Sequence, residues 1–185
     1  MSFEWPDGLA PEVYPLAWLV GAWRGEGTIG YGPIEDGRIT QELSFSADGG
    51  PYLTYHARTW LAPVDAAPGV AEVPQLWHQE SGFWRVAPGR DRLDPPFEVE
   101  VGIVDPAGFL SLYVGEVNGP RVDLGTDALV RTASAAPVTA ATRMYGLVEG
   151  DLLWAWDIAG FGQPLGSYLA ARLHRHDPSA AAREA

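Results

Sequence analysis

Four histidines, seven tyrosines and no cysteine set the chemistry open to this chain of 185 residues. Without a thiol there is no disulfide, no thiolate metal site and no cysteine nucleophile. His78 and Glu80 are two positions apart, on one face of a strand. An imidazole so placed can act as a base, or sit as a wall residue hydrogen-bonded to its neighbour. His174 and His176 also share a face, as metal-ligating pairs do, but no third ligand accompanies them. His56 has no recognisable partner. There is no Gly-x-Ser-x-Gly elbow, no His-Glu-x-x-His helix and no phosphate loop. Gly25-Glu26-Gly27 lies in a strand-like run with no helix after it, so it offers no helical amides to a phosphate. The sequence nominates no catalytic residue and no metal site.

The elements that must position these side chains are short and β-rich. Runs at 23–31, 38–47, 52–60, 76–86, 97–104, 109–116, 121–131, 139–147, 151–159 and 165–174 are separated by Gly, Pro, Asp and Asn. Asp48-Gly49-Gly50-Pro51, Asn118-Gly119 and Glu149-Gly150-Asp151 read as tight hairpin turns. In the run 97–104, Phe97, Val99, Val101 and Ile103 fall on one face and Glu98 and Glu100 on the other, so one face is buried. Ten antiparallel strands with one buried face are best served by closure, which removes both sheet edges. The fold class expected is all-β: a single ten-stranded antiparallel barrel, with a short helical turn at 15–20 before it. Residues 1–15 read as an irregular lead-in, 16–175 as the barrel domain and 176–185 as a frayed tail. The apolar, Pro-rich stretch 61–74 is expected to fold as a loop over the barrel mouth.

Composition narrows the partners. A formal net charge of −12 repels nucleic-acid backbones and anionic membranes, so neither is expected as a partner. No apolar stretch approaches the roughly 18 residues of a membrane span, and the N-terminus lacks the pattern of a signal peptide. The location expected is the cytoplasm. Eight Trp, seven Tyr and six Phe are enough to fill a large core or line a cavity. The oligomeric state is not legible.

Several motifs carry a family resemblance. Gly21-Ala22-Trp23-Arg24-Gly25-Glu26-Gly27 matches a Gly-x-Trp-x-Gly-x-Gly signature; Trp23 is expected to cap one barrel end, with the glycines letting the first strand bend. His78-Gln79-Glu80-Ser81-Gly82-Phe83-Trp84-Arg85, Arg58-Thr59-Trp60, Gly115-Glu116-Val117-Asn118-Gly119 and Gln163-Pro164-Leu165 with Leu169 follow in order. Together they resemble the nitrobindin family of haem-binding β-barrels, similar in shape to lipocalins and fatty-acid-binding proteins. That resemblance implies a cavity lined by His78, Asp105, Ile158, Tyr168 and Pro33. It also locates two departures. Tyr168 stands where the family has its iron-ligating histidine, and Pro33 where it has a threonine close to the haem.

From the missing histidine, the expectation is a barrel that binds a small apolar molecule, without conventional haem chemistry and with no cofactor. The alternative is a ferric-haem protein that binds nitric oxide or isomerises peroxynitrite to nitrate, with Tyr168 or His78 holding the iron.

Overall fold

The computed structural model describes residues 8–62, 75–88 and 94–177. A nine-residue 3₁₀ helix, Pro11–Leu19, begins with proline, whose fixed φ suits a helix start. It begins earlier than the sequence suggests. Ten strands follow: β1 Gly21–Tyr31, β2 Ile34–Ser46, β3 Leu53–Leu61, β4 Gln75–Val86, β5 Phe97–Val104, β6 Phe109–Asn118, β7 Arg121–Arg131, β8 Val138–Val148, β9 Asp151–Gly160 and β10 Gln163–His176. Each pairs antiparallel with the next, and β10 returns to β1 to close the barrel. The expected mouth loop and tail lie mostly outside the described residues.

Turn chemistry sets the register. Glu149 and Gly150 have φ of 55° and 93°, and Phe161 and Gly162 have 53° and 74°. Two consecutive left-handed residues match the twist of a hairpin. The glycines of β1 do something other than bend the strand. A Cβ on Gly25 or Gly27 would collide with the backbone carbonyl of Arg172 or Ala170 on β10. Their work is to allow close approach at the closing seam.

The two barrel ends differ. One is filled. The 3₁₀ helix packs against β4 and β6, and Trp23 is fully buried, its Nε1 donating to Leu19 O at 2.8 Å. Arg175 lies 4.3 Å over the Trp23 ring and donates to the carbonyls of Trp18 and Val20. An aromatic cluster of Phe45, Tyr55, Trp84 and Tyr145 continues the filling, with ring centroids 5.1–5.9 Å apart. Toward the other end, a cavity remains. Near it Tyr31 locks β1 to the β9–β10 turn, donating to Pro164 O at 2.7 Å and accepting from Gly160 N at 3.1 Å.

Candidate functional site

The cavity has a volume of about 380 Å³, at the low end of the roughly 300–1,000 Å³ typical of ligand pockets. Aromatic and aliphatic side chains dominate it, among them Trp77, Phe109, Trp156, Ile158 and Phe161. Grooves of about 420 and 680 Å³ also run along the outer wall, beside Glu42, His56 and Arg58 and beside Asp36 and Arg38. Small, polar and charged residues mix along them, and the interior cavity is the one built mainly from aromatic and aliphatic side chains.

Tyr168, on β10, is 9% exposed and lines the cavity. Its hydroxyl accepts a hydrogen bond from Trp77 Nε1 at 3.2 Å, and its ring meets Trp156 edge-on at 5.0 Å. Burial pushes the phenol's pKa up; the Trp77 bond opposes this, while Glu80 and Asp105 add to it. His78, Asp105 and Ile158 line the same space. Burial also raises the Asp105 carboxyl. Pro33 does not line the cavity. It is exposed in the β1–β2 turn, and Ile34, the first residue of β2, lines the cavity instead.

Below the ligand space lies a group that the sequence reading missed. Arg143 on β8 donates through Nη1 to Glu80 Oε2 at 2.9 Å and through Nη2 to Glu80 Oε1. Tyr55 donates to the same carboxylate at 3.0 Å. The guanidinium is held between the Trp156 and Tyr113 rings, at 4.3 and 5.0 Å. Burial alone would raise the Glu80 carboxyl, but the Arg143 charge and hydrogen bonds hold it well below the carboxylate range. Burial raises Tyr145 to about 12 and Tyr55 well above its ordinary value, so both remain neutral. His78 Nε2 is 3.2 Å from Glu80 Oε1 but is not aligned for a hydrogen bond. The signal for Arg143 was its phase: it alternates with Ala141 and Tyr145, both inward. His174 and His56 are exposed, bonded to Asp151 and Ser81. Among the described residues no cluster of His, Asp and Glu could hold a metal ion. No helix among them is long and apolar enough to cross a membrane.

A closed ten-stranded barrel, filled at one end and holding an aromatic-lined cavity toward the other, defines a small-molecule-binding β-barrel. The profile of the THAP4-like haem-binding β-barrel domain matches residues 12–175. The chain is 46% identical to a ferric nitrobindin-like protein of Beutenbergia cavernae, over 95% of this chain and 99% of that protein. It is 42% identical to a peroxynitrite isomerase of Leifsonia xyli subsp. xyli, over 92% and 97% of the two chains. The crystal structure of Rv2717c from M. tuberculosis superposes with a TM-score of 0.74 at 30% identity, covering 91% of this chain and 99% of that one. This chain belongs to the nitrobindin family of haem-binding barrels.

That membership corrects one expectation. The expectation that Tyr168 replaces the ligating histidine led to a barrel with no cofactor, yet the matching family is a haem-binding one and its relatives are named as peroxynitrite isomerases. The physical reason is that one side chain does not decide the cofactor. The aromatic-lined cavity is present, and the Tyr168 hydroxyl is part of its wall.

Proposed function

We propose that this chain binds ferric haem in the barrel cavity, with Tyr168 as the residue that holds the iron. The observation that carries this reading is the placement of the Tyr168 hydroxyl. It lies in an apolar, aromatic-lined space, buried between Trp77 and Trp156. A flat apolar macrocycle suits such walls. A tyrosinate is an established haem donor, and a hard oxygen favours ferric over ferrous iron.

The donor set fits on two conditions. The phenol must lose its proton, which burial opposes; a bound cation would supply the compensating charge, because the Arg143 charge in the cavity floor is already paired with Glu80. The Trp77 hydrogen bond then serves the charged form, because it is donated to the phenol oxygen. Trp156, Ile158, Phe109 and Phe161 would exclude water from the ring. When bound, ferric haem would supply a Lewis-acid position for a nitrogen oxide, which supports nitric oxide binding or peroxynitrite isomerisation, the activity for which the relatives are named.

The test is titration with haemin, followed at the Soret band and after desalting. Wild-type protein is expected to take up one equivalent. Tyr168→Phe should weaken uptake at least tenfold, and Tyr168→His should retain it with a shifted band. Wild-type protein that retains no haemin would overturn the reading and leave the cavity to another small apolar molecule. Equal retention by Tyr168→Phe would move the iron away from Tyr168.

A further inference from the structure

The barrel closes unevenly. β7 and β8 form backbone pairs only from Arg121 opposite Gly146 to Gly125 opposite Thr142. From Thr126 to Arg131, β7 pairs with β6 alone, across a register shift at Leu112/Tyr113. From Val138 to Ala141, β8 pairs with β9 alone. Half of β7 therefore carries an unpaired edge inside a barrel whose closure should have removed edges. One bond spans the split near its base: Ala141 N donates to Thr126 Oγ1 at 3.1 Å.

The split reaches the ligand space. Leu129 on one margin, Val138 and Ala141 on the other, and Ala136 in the connecting loop all line the cavity. Outside, an exposed aliphatic row runs from Val130 on the β7 margin across β6 to β5, with Asp127 and Arg131 of β7 exposed beside it. Val130 is opposite Leu110, which is opposite Val104, and all three are more than half exposed. A register shift beside an unpaired edge is a feature that sheets keep at functional places.

We infer that the β7–β8 split is a lateral portal through which a flat apolar ligand reaches the cavity, with the Thr126–Ala141 bond as its latch. The three exposed aliphatic side chains give such a molecule an apolar approach. The bond is a single side-chain contact, so it opens more readily than a ladder of backbone pairs. The inference concerns the route and not the iron donor, so it stands on different residues from the haem reading.

The test uses iron-free protoporphyrin IX, which needs no donor, and reads the quenching of tryptophan fluorescence in stopped flow. The register carried on past Gly125 sets Asp127 opposite Ala140. Because the chain has no cysteine, Asp127→Cys with Ala140→Cys gives one thiol pair and one possible cross-link. Oxidised, this variant should take up and release the porphyrin at least tenfold more slowly than when reduced, with the dissociation constant unchanged. Independently, Thr126→Val should speed both rates at unchanged affinity. Equal rates in the oxidised and reduced forms would overturn the portal. So would a Thr126→Val protein with unaltered exchange, or a wild-type protein that takes up no porphyrin. Should the thiols not cross-link, the Thr126→Val rates decide alone. Haemin retention that depends on Tyr168 would survive any of these results.

Discussion

Glu80 on β4 and Arg143 on β8 meet across the barrel interior, with side chains 2% and 1% exposed. They are 63 positions apart in the chain and join opposite walls below the ligand cavity. Tyr55 donates to the carboxylate, Tyr145 accepts from the guanidinium, and Trp156 and Tyr113 cover the cation, while Arg143 Nε is buried with no hydrogen-bond partner. The floor of the cavity is thus a neutral, rigid polar unit inside an aromatic shell.

Removing one partner strands the other charge. Glu80→Gln or Arg143→Met alone should destabilise by about 3–5 kcal/mol, whereas the paired replacement Glu80→Gln with Arg143→Met should cost less than the two losses summed. Urea denaturation of the three variants measures this. Additive losses would show that the two groups do not act as a unit.

The same pair sets an acid limit. The Glu80 carboxyl sits below its ordinary range in the fold, so the unfolded chain takes up that proton first as pH falls. The stability it contributes is fully present above the unfolded value of about 4.3 and is lost as pH drops below it. The urea midpoint should fall between about pH 5 and pH 3, and Glu80→Gln should flatten that slope. Parallel slopes in the two proteins would assign the acid loss to other carboxylates.

Trp23 is a structural plug. With its ring fully buried and its Nε1 bonded to Leu19 O, Trp23→Ala should cost about 3–5 kcal/mol, as large aromatic truncations do. A loss under about 1 kcal/mol by chemical denaturation would mean that the helix does not rely on it.

Tyr31 ties the barrel shut beside the cavity. Tyr31→Phe removes the donor to Pro164 O and the hydroxyl acceptor for Gly160 N. The expected loss is about 1–3 kcal/mol, together with faster amide exchange at Gly160 and the β9–β10 turn. Unchanged exchange there would show that the turn holds without the phenol.

The sequence by itself determined the strand content, the turns and the family. Alternation in β5 put Val99, Val101 and Ile103 inside and Glu98 toward solvent because a pleated strand repeats every two residues, a local rule. Glu149-Gly150 and Asn118-Gly119 marked their hairpins through local backbone preference. Tyr168 was legible as a cavity residue through the family resemblance, and it does line the cavity, though the expectation of no cofactor drawn from it did not hold. Tertiary structure alone decided the rest. Gly25 and Gly27 are explained by the β10 backbone that approaches them, not by a bend in their own strand. Pro33 gave way to Ile34 because the turn between β1 and β2 fixes which residue faces inward. Arg143 found Glu80, and β7 parted from β8, only on closure. A partner 63 positions away in the chain leaves no periodic trace, and the length of a ladder depends on how the neighbouring strands are tilted and bulged when the barrel shuts.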